Sequence, residues 1–176
     1  MIKEVVIKAN GGPESILWKD SELEKLKPGQ VTIEHTFVGL NFIDTYHRSG
    51  LYPLPLPTKL GMEGAGIVVD KSSDVNEYEI GDRVAYVMAL GSYSTKRNIE
   101  ANKLVKIPKG ISDQQAAAVL LKGMTVEYLV ERLFKVNNTH TVLFHAIAGG
   151  VGLLACQWIK HLGAKIIGTA GTEEKA

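Results

Sequence analysis

The chain has 176 residues, 45% hydrophobic and 22% charged, with a formal net charge of +1, a balance that suits a globular fold with a real core and names no acidic partner. It has no Lys- and Arg-rich run to track a nucleic acid and no apolar stretch near the roughly 18 residues of a membrane span. One cysteine, Cys156, excludes an internal disulfide and a four-cysteine zinc site, and the charges within residues 1–8 exclude a secretory signal, so a cytoplasmic protein is expected.

The first hundred residues read as short strands separated by turns. Val5, Val6 and Ile7 form a strand that Gly11-Gly12-Pro13 ends. After the Pro28-Gly29 turn, Val31, Ile33 and His35 alternate with Thr32, Glu34 and Thr36, which is the period of a strand. Residues 64–69, 81–87, 93–99 and 104–107 are further strand candidates. Many short strands with Gly and Pro punctuation indicate a barrel or sandwich.

The pattern changes after Pro108-Lys109-Gly110. Ser112 and Gln115 form a capping box that starts a helix, which Gly123 is expected to interrupt. Val126, Leu129, Val130, Leu133 and Phe134 then recur on one helical face. A strand at residues 141–144, a Gly-rich turn, a helix at 153–162 closed by Gly163 and a strand at 165–169 follow. This order opens a doubly wound dinucleotide fold.

The turn Ala146-Ile147-Ala148-Gly149-Gly150-Val151-Gly152 lies between that strand and that helix. Glycine lets backbone approach a pyrophosphate, and the helix start offers free amides and a positive dipole end. Alanine occupies the first glycine position, so the fingerprint alone is weak, and the strand–turn–helix–strand context strengthens it. A tight structural turn is the alternative. At the end of the second strand, Thr169-Ala170-Gly171-Thr172 lacks the acid that reads an NAD ribose. Lys175 suits a 2′-phosphate, or is a solvated lysine beside Glu173 and Glu174.

The stretch from Asn41 through Asp44, Tyr46, His47 and Tyr52 to Pro53 resembles a signature of bacterial NADPH:quinone oxidoreductases. These are the zinc-free, zeta-crystallin-like branch of the medium-chain dehydrogenase/reductases. Gly61-Met62-Glu63-Gly64, Ala89-Leu90-Gly91-Ser92-Tyr93-Ser94, Leu121-Lys122-Gly123-Met124-Thr125 and His145 to Gly152 continue the likeness in order. The resemblance implies a mixed α/β fold. Residues 1–115 would be a GroES-like, partly closed β-barrel for the substrate, and residues 116–176 the incomplete start of a Rossmann NADPH-binding domain. Zinc-dependent relatives place a Cys near position 41 and a His at 62; here Asn41 and Met62 leave no metal site.

The resemblance places Asn41, Tyr46 and Thr125 around the nicotinamide. NADPH is the implied cofactor, bound also by Ala148, Gly149, Gly150, Val151, Gly152, Gly171 and Lys175. Asn41, Tyr46 and Tyr52 are the implied catalytic residues, with Tyr46 the donor to a reduced quinone oxygen. Tyr46 and Tyr52 as packed rim aromatics, Thr125 as a helix-restart residue, and Asp44 as a cap or a partner of Arg48 are the structural alternatives.

The resemblance also implies a chain about twice this length, with about six Rossmann strands and a homodimer. As it stands, the chain is expected to be a poor enzyme. A zinc-free reductase of enones or enoyl thioesters shares the same motifs, and a non-catalytic remnant or binding domain is the reading from another class.

Overall fold

The computed structural model describes residues 1–175. The chain packs as two compact units whose boundary lies between Leu120 and Leu121.

In the first unit, β1 (Ile2–Ile7) pairs antiparallel with β2 (Leu17–Ser21) and β4 (Thr58–Lys59). A second sheet has the order β7-β3-β5-β6-β8, all antiparallel, from β3 (Gln30–Val38), β5 (Glu63–Lys71), β6 (Arg83–Val87), β7 (Lys96–Glu100) and β8 (Val105–Lys106). Val31 and Ile33 project into its core with Val68, Val84, Tyr86 and Ile99. Thr32 is buried as well, because β3 lies between two neighbours, and its hydroxyl donates to Asn98 Oδ1 at 2.8 Å. Irregularities at Thr32/Ile33 and His35/Phe37 break the simple alternation, and Phe37 and Val38 end up exposed. One helix, α1 (Phe42–Ser49), interrupts the strands. Neither α1 nor β2 is marked by sequence periodicity. The expected strand at 93–99 begins only at Lys96; residues 93–95 instead bond to β1, through Val5 N–H to Tyr93 O and Thr95 N–H to Lys3 O.

The capping box forms as expected. Gln115 N–H donates to Ser112 Oγ at 3.1 Å, and Ser112 N–H to Gln115 Oε1 at 2.9 Å. The helix it starts, α2 (Asp113–Glu127), runs through Gly123 without a break, since the hydrogen-bond ladder compensates one glycine's propensity cost of about 1 kcal/mol. A π-helical turn, Tyr128–Leu133, continues it. Val126 and Val130 are buried, while Leu133, the last residue of that turn, and Phe134, already in extended conformation, are exposed.

The second unit holds β9 (Thr141–Phe144), α3 (Gly150–His161) and β10 (Lys165–Gly168). The two strands pair parallel in the register Thr141 to Lys165. Ala155 and Ile159 of α3 pack with Val126, Val130, Val136 and Ala164. Gly163, at φ +78°, turns the chain from α3 into β10. No helix among the described residues is long and apolar enough to cross a membrane.

His35 carries a testable charge effect. Its Nδ1 lies 2.7 Å from Ser94 O, which only accepts, so Nδ1 bears the proton and Nε2 accepts from Tyr86 OH at 2.8 Å. Burial, reinforced by the Arg97 charge, pushes the imidazole down to about 4. An unfolded histidine titrates near 6.5, so the unfolded chain binds the extra proton between these values. Unfolding free energy therefore falls as pH drops from 6.5 toward 4. Carboxylates held low, such as Glu4, act below their ordinary 4.5. Urea denaturation across pH 6.5 to 4.5 should show this decline, and His35→Gln should flatten it.

Candidate functional site

In the first unit the site is built on α1. Asn41 is its N-cap, in extended conformation, and Asp44 is its third residue. The Asp44 carboxylate accepts the Asn41 N–H at 2.9 Å, satisfying one of the amides that a helix start leaves without an intrahelical acceptor. The Asn41 side chain donates from Nδ2 to Glu63 Oε2 at 2.8 Å, and Glu63 is fully buried. At the other end Gly50, at φ +84°, closes the helix, and Asn10 donates to the carbonyls of His47 and Arg48. A Cβ on Gly50 would meet Asn10 Cγ at 2.8 Å, so both the conformation and the contact require glycine. Of the two readings of Asp44, the structure supports the cap; Arg48 turns its Nε to Gly11 O at 3.3 Å.

Tyr46 stands in the middle of α1 among aromatic rings. Phe42 meets it edge-on at 5.2 Å and Tyr52 at 5.1 Å, tilted by 55°. Tyr52 is brought back to the helix by its N–H, which donates to Tyr46 O at 3.2 Å. Phe42 and Tyr52 are exposed, so the cluster offers aromatic surface carrying two phenol groups. Tyr46 and Tyr52 are therefore brought together, and Asn41 stands at the start of the same helix. His47 is buried behind them, its Nδ1 without a hydrogen-bond partner among the described residues.

In the second unit the glycine turn joins β9 to α3. Ala146 adopts φ +54°, and Gly149 N–H donates back to its carbonyl at 2.9 Å. Gly152 lies directly against the turn: a Cβ there would stand 2.6 Å from Ala146 O. That close packing leaves the first amides of α3, on Gly150, Val151 and Gly152, at the open end of the helix. Thr169 staples the turn to the end of β10. Its carbonyl accepts Ile147 N–H at 3.0 Å, its Oγ1 accepts Ala146 N–H at 3.3 Å, and His145 Nδ1 lies 3.1 Å from that oxygen. Sequence reasoning had seen in Thr169 only the lack of an acid.

Lys122 was also overlooked as part of this turn. A Cβ on Gly150 would meet its Cε at 2.9 Å, so its aliphatic chain covers the first residue of α3. Thr125 donates its hydroxyl to Leu121 O at 2.8 Å within the unbroken α2, so it does not restart a helix. Gly171 is open, with nothing within 4 Å of a Cβ, and Lys175 is exposed in a short 3-10 turn, Glu173–Lys175. Among the described residues no three His, Cys, Asp or Glu side chains gather to hold a metal ion.

Residues 27–130 match the family described as the alcohol dehydrogenase GroES-like domain. The chain is 49% identical over 178 residues to the quinone oxidoreductase of Pseudomonas aeruginosa, covering 100% of this chain and 55% of that protein. It is 41% identical over 184 residues to the 2-haloacrylate reductase of a Burkholderia species, covering 100% of this chain and 55% of that protein. The crystal structure of Escherichia coli quinone oxidoreductase complexed with NADPH superposes with a TM-score of 0.95 at 48% identity, over 99% of this chain and 54% of that one. The chain thus spans about half the length of the relatives it matches.

The two glycines of the turn should respond differently to alanine. Gly152→Ala drives a methyl into backbone carbonyls and should destabilise the second unit by about 1–3 kcal/mol. Gly150→Ala meets only the movable Lys122 chain and gains up to about 1 kcal/mol of helix propensity, so its net effect should be small. Denaturant unfolding followed by Trp158 fluorescence in a Trp18→Phe background separates the two.

Proposed function

The chain belongs to the alcohol dehydrogenase GroES-like domain family, and we propose that it works in a zinc-independent NADPH:quinone oxidoreductase of the medium-chain dehydrogenase/reductase type. In this reading residues 1–115 serve the acceptor, and residues 116–176 begin the Rossmann domain that serves the cofactor. The observation that carries it is the parallel β9–α3–β10 unit, whose turn packs closely on Gly152 and whose helix begins with amides that have no intrahelical acceptor, with the Lys122 chain alongside Gly150.

The residues fit a dinucleotide. Gly150, Val151 and Gly152 supply amides and the dipole of α3 to a pyrophosphate, with Ala148 and Gly149 shaping the approach. Gly171 leaves room for the adenosine ribose, and Lys175 supplies a charge to its 2′-phosphate. We assign Asn41 and Tyr46 to the nicotinamide end. NADPH, when bound, supplies the hydride that reduces the acceptor.

The residues do not fit zinc. Asn41 and Met62 offer an amide and a thioether where the zinc-dependent relatives place thiolate and imidazole. In this reading the chain stabilises the reduced oxygen with a hydrogen bond. Tyr52 and Phe42 bracket Tyr46 and suit a planar ring. The Tyr46 hydroxyl donates to the oxygen on which charge develops, and proton delivery from Tyr46 or water completes the quinol. A second reading, reduction of an activated alkene, is supported by the relative named 2-haloacrylate reductase.

Two measurements test this. In an active preparation, Tyr46→Phe should lower turnover with quinones about tenfold or more while leaving the fold intact; unchanged turnover reduces Tyr46 to packing. Lys175→Ala should weaken NADPH about tenfold and leave NADH nearly unchanged in a fluorescence titration, and equal losses remove Lys175 from the 2′-phosphate.

A further inference from the structure

Tyr93 reaches α1 from a distant part of the first unit, and its own position is tightly fixed. Its N–H donates to Leu60 O at 3.1 Å and its carbonyl accepts Val5 N–H at 2.8 Å. Its ring packs on the small core of Val5, Ile7 and Leu60. A Cβ on Gly61 would meet the ring at 2.7 Å, so backbone closes it in on that side too. From this base the Tyr93 hydroxyl donates to Asp44 Oδ2 at 2.6 Å, the same oxygen that takes the Asn41 N–H.

Asp44 is only 5% exposed, and its other oxygen is buried without a hydrogen-bond partner among the described residues. A buried carboxylate with so few donors depends strongly on each of them. Burial, and then the Asp44 carboxylate, hold the Tyr93 hydroxyl far above the ordinary tyrosine range, so it is a donor at neutral pH. An ordinary helix cap needs no such third group; this one links residues 49 apart in sequence. Asp44 lies three residues after Asn41 and two before Tyr46 on one short, doubly capped helix.

We propose that Tyr93 is a positioning residue: by holding Asp44 it sets the angle at which α1 presents Tyr46 and Asn41. Its significance rests on the reading that Tyr46 meets the acceptor, but the strut itself is testable without activity.

The test uses the chain as it stands, labelled with [13Cζ]tyrosine. The chain has six tyrosines, and Tyr46→Phe assigns the Tyr46 line by its loss. Tyr93→Phe should displace or broaden the Tyr46 line and leave that of Tyr128, in the second unit, in place. Asp44→Asn, which keeps an acceptor for the Tyr93 hydroxyl, should leave the Tyr46 line closer to its original position. A Tyr46 line unmoved by Tyr93→Phe overturns the proposal. If Tyr93→Phe does not fold, the unsubstituted chain decides. In mixed H2O and D2O the Tyr93 line should split, because a buried, bonded hydroxyl exchanges slowly, and a single averaged line overturns the strut.

In an active preparation Tyr93→Phe should lower kcat about tenfold with KM for NADPH within about twofold. The two ideas fail separately. If the functional reading is wrong, Tyr46→Phe leaves turnover intact while Tyr93→Phe still moves the Tyr46 line. If the strut is wrong, the line stays put whatever the turnover.

Discussion

Two carboxylates buried beside the first turn of α1 impose the strictest demand in the first unit. Asp44 and Glu63 lie in surroundings where an ion without hydrogen bonds would be very costly. Asn41 answers both, giving its backbone N–H to Asp44 and its side-chain amide to Glu63. One residue therefore ties the N-terminus of α1 to the start of β5. The helix has little freedom left once Gly50 and Asn10 close its other end, and the rings of Phe42, Tyr46 and Tyr52 inherit that rigidity.

The second unit reaches the same end by leaving side chains out. Gly152 is pressed against the carbonyls of the turn before it, and this contact seats the first turn of α3 on the loop leaving β9. Thr169 then fastens the loop to the end of β10. The alanine in the first glycine position is compatible with this, because Ala146 takes a left-handed conformation that a small residue tolerates at modest cost. The irregular member of the glycine series thus sits in the bend, while the position without room for a methyl keeps its glycine.

The same economy explains the polar network around His35. A neutral imidazole between a carbonyl and a phenol satisfies both of its nitrogens, and Arg97 donates to the phenol oxygen at 3.3 Å. Burial and the neighbouring Arg97 cation both oppose a charge on that ring. The network joins β3, β6 and β7, so it braces the large sheet.

Much of this was legible in the sequence. Alternation marked β3, the Ser112–Gln115 pair marked the start of α2, and strand, glycine turn, helix and strand marked β9, α3 and β10, because each signal depends on residues close together in the chain. The motif order from Asn41 to Gly152 indicated the family. What the sequence left open depends on contacts between distant residues. α1 is too short for periodicity to announce, and its caps come from Asn10 and Tyr93 as well as its own residues. Gly123 reads as a break, yet the ladder of α2 carries it. Leu133 and Phe134 read as core, yet the helix ends at Leu133 and both are exposed. The roles of Glu63, Tyr93 and Thr169 were invisible for the same reason: each is a hydrogen bond across 20 or more residues, and only the tertiary fold decides which buried donor meets which buried acceptor.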